Sequence, residues 1–218
     1  MQINEEAVTE EIPTRGSKIA IKKGMSTKEL EAWFKSEERA LNELKRVGKR
    51  TKITKKAVEK EIRMSQRIVK ILNEDDAMYV KDKIEKKVYK IKKLEQRLNK
   101  HIKKLIEHFR ILNDHFILNY HIKERIKKVI ETLKFYYLLF REFWEGGLGF
   151  EKELKEWKTD SLDSLRKTFR IYLNNLIDLL GMLHKLDKLE EAITEVEKRH
   201  YQEAKRTSKE KKKYQPAA

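Results

Sequence analysis

Residues 81–104 read KDKIEKKVYKIKKLEQRLNKHIKK, and two periodicities are superposed in them. Ile84, Val88 and Ile91, then Leu98 and Ile102, recur at steps of three and four, and Leu105, Phe109, Leu112 and Phe116 carry the series on. Such steps place side chains on one stripe of an α-helix. Lys81 and Glu95 interrupt the stripe at two of its positions. On the face away from it, Lys83, Lys86, Lys90, Lys93, Arg97, Lys100 and Lys104 follow the same spacing, and all seven are cations. No part of the chain shows a convincing β-branched alternation of period two. The stretch is an amphipathic helix whose apolar seam suits packing against another helix.

Working outward, Gly48 and Gly146 bracket 97 residues that contain neither Gly nor Pro. A single long helix is expected from about Asp76 to Trp144, with Asn113 to Asn119 as the place for a kink. Upstream, Ser26 and Glu29 form a capping box and Met25 and Leu30 a hydrophobic staple, which start a helix over 27–47. Its apolar face is Leu30, Trp33, Phe34, Leu41, Leu44 and Val47, and it should end near Gly48. A second helix, 54–72, is expected to start at Thr54 and carry Val58, Ile62, Val69 and Leu72. Asn73-Glu74-Asp75-Asp76 suits a chain reversal, an uninterrupted helix being the competing reading. Downstream, Gly146-Gly147-Leu148-Gly149 is a loop. It leads to a helix over 160–205 with Leu162, Leu165, Phe169, Tyr172, Leu176, Leu179 and Leu183 in one register. Leu186 continues that seam, which then slips one step to Leu189, Ile193 and Val196. The expected fold is all-α: an elongated antiparallel bundle, or coiled-coil-like hairpin of long helices, forming one domain over 26–205. A flexible leader (1–25) and a basic disordered tail (206–218) flank it.

Charged residues make up 40% of the 218-residue chain and apolar ones 39%. The charged share lies far above the usual quarter and implies long helices with little interior per residue. The absence of cysteine excludes disulfides, thiolate zinc sites and cysteine nucleophiles. The acidic N-terminus lacks the apolar core of a secretory signal. The most apolar run, Phe135 to Phe140, is far short of the ~20 residues of a transmembrane span. A cytoplasmic location is the expectation.

The net charge of +16 is unevenly placed. Residues 44–72 carry +9, 81–104 carry +8 and 198–213 carry +6, while the remainder sums to −7. Reversals at 73–76 and at the glycine loop would set 54–70 beside 79–95 and residue 101 opposite about residue 204. All three basic segments would then meet at one end of the bundle. The candidate polyanion-binding residues are Lys45, Arg46, Lys49, Arg50, Lys52, Lys55, Lys56, Lys83, Lys86, Lys90, Lys93, Arg97, Lys100, Lys104, Lys205 and Arg206. The function this points to is a non-enzymatic binding protein for polyanions, nucleic acid first, with low sequence selectivity. The alternative is a scaffold that self-associates through its helix seams or lies on anionic membrane surfaces. A third reading is a metal or small-ligand protein using the aromatic-rich end.

Motifs for chemistry are weak. His101, His108 and His115 are seven residues apart, about 10 Å along a helix, too far for one ion. Glu197-x-x-His200 is half of a di-iron ligand set whose second half is missing. Phe135, Tyr136, Tyr137, Phe140, Phe143, Trp144, Phe150 and Trp157 crowd one end, where they are expected to plug the bundle. The glycine loop has neither the preceding strand nor the Lys-Ser/Thr of a phosphate loop. No cofactor, metal or catalytic residue is assigned.

Overall fold

The computed structural model describes residues 27–74, 77–114, 120–145, 150, 154–155 and 157–213. Four long helices dominate: α1 (Thr27–Leu72), α2 (Lys81–Asn113), α3 (Tyr120–Glu145) and α4 (Thr159–Lys213), with a 3-10 turn, Ala77–Val80, leading into α2. Among the described residues there is no strand. The expected Ser26 cap, Met25 staple, leader, glycine loop and last five residues lie outside this set.

α1 is one helix where two were expected. Gly48 does not end it; its bare Cα lies against the Glu190 carboxylate of α4, which a Cβ there would have to displace. Thr54 does not begin a new helix either. Its hydroxyl bonds back to the Arg50 carbonyl at 2.9 Å, and Thr51 bonds back to Val47 at 3.0 Å. These bonds satisfy both hydroxyls inside a continuing helix.

The chain then reverses at the expected Asn73–Asp76 segment. The Asn73 and Glu74 amides donate to the carbonyls of Val69, Lys70 and Ile71. Arg166 of α4 donates to the Leu72 carbonyl, so the C-terminal end of α1 finds a hydrogen-bond donor across the bundle. His101 and His108 of α2 meet Arg50 and Glu43 of α1, which fixes α1 and α2 as antiparallel neighbours.

The long helix expected over 76–145 is two helices. α2 stops at Asn113, and α3 packs back along it, bringing Glu95 under the influence of Arg141 and Glu145. Asn113 is the last residue of α2 and Asp114 its C-cap, and short polar residues of this kind are weak helix formers. α4 runs antiparallel to α1: Arg166 reaches Leu72, Lys55 pairs with Asp187 and Phe34 packs edge-on against Tyr201. The bundle is therefore up-down-up-down, with α1 between α2 and α4. α4 also continues to Lys213, past the expected end at 205, and no proline interrupts residues 159–213.

The core follows the seams. Ile84, Val88, Ile91, Leu98, Ile102, Leu105, Phe109 and Leu112 are buried on α2, and all seven α4 seam residues from Leu162 to Leu183 are buried. Leu186, Leu189 and Ile193 stay in the core after the slip. Between α3 and α4 the spacers are rings: Phe140, Phe143 and Trp144 meet Phe150 and Tyr172, and Phe150 stacks on Phe169 at 4.2 Å. The aromatic cluster is interior packing, with Phe135 half in solvent at its edge.

Candidate polyanion interface

α1 carries a basic face that its continuity creates. Between Lys45 and Lys70, ten residues are exposed; nine are Lys or Arg, and the tenth is Gln66. Lys45, Lys49, Lys52, Lys56, Lys60, Arg63, Arg67 and Lys70 follow one another at steps of three and four. At about 1.5 Å per residue they form a row about 38 Å long. No exposed acid interrupts it. Idle helix surfaces usually mix the two signs. α3 and α4 do so, with Glu131 among lysines on one and Asp163, Asp178 and Glu191 among basic residues on the other.

The α2 stripe stands as its spacing predicts. Lys83, Lys86, Lys90, Lys93, Arg97, Lys100 and Lys104 are all exposed. Its edge adjoins α1, because His101 and His108, which share that edge with Arg97 and Lys104, are the residues that touch Arg50 and Glu43. The antiparallel pairing sets 54–70 of α1 beside roughly 81–97 of α2, so the two rows run side by side as one two-helix face.

The electrostatics of the seam agree with this. The His101 ring nitrogen lies 3.4 Å from Arg50 Nη1. Burial, then the charges of Arg50 and Lys104, push its pKa below the ordinary histidine value. Nearby, the buried Glu43 carboxylate holds both His108, at 2.6 Å, and Arg46, at 3.0 Å. Arg46 therefore keeps an exposed guanidinium tethered at the edge of the face.

Four expected members behave differently. Arg50 is half-buried against His101 and lies off the exposed row. Lys55 turns inward and pairs with Asp187 at 2.5 Å, so its charge is matched within the protein. Lys205 and Arg206 are exposed but stand elsewhere. The extra reversal at 114–119 makes α4 parallel to α2, and residue 101 is level with about residue 190 rather than 204. The Phe34–Tyr201 contact puts the C-terminal basic segment beside the start of α1. Two of the three basic segments come together along a side of the bundle, and the third lies beyond them. Lys60, Arg63, Arg67 and Lys70 also belong to the row, and their register with Lys45–Lys52 appears only once α1 is read as one helix. Tyr89, exposed within the α2 face, was missed although its position among lysines is plain in the sequence.

A second polar feature is buried. Tyr172 of α4 donates its hydroxyl to Glu61 of α1, and Asn99 donates to Glu95 within α2. Burial, with Glu95 adding to it, pushes the Glu61 pKa up to about 8 against the opposing pull of the Tyr172 bond. Burial also raises Glu95, to about 7. Ser65 Oγ, Glu61 Oε2 and Asn99 Oδ1 are buried beside them without a hydrogen-bond partner.

Among the described residues no group of three or more His, Asp or Glu is placed to hold a metal ion, and no helix is long and apolar enough to cross a membrane. His115 and the side chains of Glu197 and His200 lie outside the described set. No known protein family, curated protein or solved structure matches this chain.

Proposed function

We propose that the protein is a non-enzymatic helical binding protein that takes polyanions, nucleic acid foremost, on the two-helix face of α1 and α2. The observation that carries this reading is the exposed surface of α1 from Lys45 to Lys70, where every residue except Gln66 is a cation. Side by side with the α2 row, these charges repel one another, and a phosphate polymer relieves that repulsion while releasing its own condensed counterions. Neither row presents a recognised base-reading module, so contacts to backbone phosphates would position the polymer without selecting its sequence.

The test is fluorescence anisotropy of a labelled oligonucleotide. Affinity should fall by orders of magnitude between about 50 and 200 mM salt. Reversing Lys49, Lys56 and Arg63 to glutamate should abolish binding at the higher salt with the helical circular dichroism unchanged. Binding indifferent to salt, or to the reversal, rejects the reading. The pair Lys205→Glu and Arg206→Glu, off this face, should weaken binding far less than the α1 triple reversal.

A further inference from the structure

We infer that this face takes nucleic acid in single-stranded form, with an unpaired base stacked on Tyr89 and neighbouring phosphates held by Lys86, Lys90 and Lys93. The inference rests on the proposed polyanion face and names the kind of polymer it fits.

Tyr89 is out of place as a structural residue. It is 59% exposed, whereas Tyr136 and Tyr172 are buried in the core. Its helical neighbours include Lys86 and Lys93, with Lys90 next in sequence and Glu85 four residues before, so the ring stands at the edge of the cationic row. The Lys93 ammonium stands over that ring, 4.5 Å from its centroid. An exposed cation–π contact is weak, because water solvates the ammonium almost as well. Base stacking on an aromatic side chain is the stronger interaction. An incoming base can therefore displace the ammonium from the ring, and Lys93 then has the adjoining phosphate as its new partner.

The secondary structure of the polymer decides whether the ring is useful. A duplex keeps its base faces inside its own stack and offers this surface only phosphates, for which lysine suffices. A single strand offers free base faces at intervals along a phosphate chain, and proteins that bind such strands combine a basic track with aromatic platforms. Tyr79, 90% exposed in the turn that leads into α2, stands ten residues before Tyr89 and supplies a second ring at the start of the row.

The experiment uses the full chain and two probes: a labelled mixed-sequence single strand, and the duplex formed with its complement. Tyr89→Ser should weaken single-strand binding at least about fivefold, the low end for loss of one base stack, and leave duplex binding unchanged. Tyr89→Trp should retain single-strand affinity. Log affinity should fall with log salt at about 0.7 per neutralised phosphate for the strand and about 0.9 for the duplex. Equal losses on both probes, or none on the strand, overturn the stacking role. If Lys90→Glu, Lys93→Glu and Arg97→Glu together abolish binding while Tyr89→Ser does nothing, the polyanion face survives and the single-strand inference falls. If neither probe binds the unaltered protein, both fall.

Discussion

Tyr172 donates its hydroxyl to the carboxyl of Glu61 across the α1–α4 interface, in the interior of the bundle. Glu61 and Glu95 both titrate above the ordinary carboxyl range there, at about 8 and about 7, because burial disfavours their charged forms. In an unfolded chain they lose their protons near pH 4.5. Between about pH 4.5 and about pH 8 these two carboxyls hold more protons in the folded state than in the unfolded one, so their contribution to stability falls as pH rises through that window. Glu61→Gln keeps an uncharged oxygen acceptor for Tyr172. Thermal melts across the window should show a smaller decline for this variant than for the unaltered protein; an identical decline would remove Glu61 as its source.

Gly48 and Glu190 form a second coupled pair. Alanine is favoured over glycine within a helix by about 0.8–1.0 kcal/mol, but at position 48 its methyl must push the Glu190 carboxylate aside. In a Glu190→Ala background, Gly48→Ala should raise stability by about 1 kcal/mol, and in the unaltered background by clearly less. Urea denaturation of the four proteins closes the cycle, and additive effects would mean that the two residues do not interfere.

Phe169 stacks on Phe150 at 4.2 Å, with both rings buried where aromatics fill the space between α3 and α4. Phe169→Ala should cost about 3–5 kcal/mol by leaving a ring-sized void. Calorimetry that finds less than about 1 kcal/mol would show that the interface closes over the gap.

His101 sits against Arg50 and close to Lys104, and its pKa is held down by burial and by those two charges. A polyanion on the adjoining face neutralises the surroundings of that ring. Its pKa should rise toward the ordinary histidine value of 6.5 in the presence of an oligonucleotide, so that binding takes up protons in mildly acidic solution. Histidine NMR titrations with and without the oligonucleotide follow this directly, and an unmoved His101 would place the bound charge elsewhere.

The seams of α2 and α4 were legible because each is complete within one helix, and the reversal at Asn73 carried its own turn residues. The two errors came from breaks. Gly48 reads as a stop, yet in the bundle it lies inside α1 with the Glu190 side chain resting against it. The break after Asn113 was read as a kink in one helix, because Asn and Asp bend or end a helix only as weakly as their side chains compete for the backbone. Both errors carried over to the candidate site. Splitting α1 hid the common register of Lys49 and Arg63, and missing one reversal put Lys205 beside the α2 row. Which charges share a helix face is local information, whereas which faces become neighbours depends on counting every turn of the chain.

The Glu61–Tyr172 bond and its neighbours Glu95 and Asn99 also act as an index mark for assembly. Heptad-like seams of leucine and isoleucine are nearly degenerate, and helices bearing them can slide by one turn and still bury hydrocarbon. Such a slide would part Glu61 from Tyr172 and leave a buried carboxyl without its donor, at a cost in free energy. One polar contact thus holds α1 and α4 to a single vernier setting, and the Glu43–His108 pair does the same for α1 and α2, on which the alignment of the two basic rows depends.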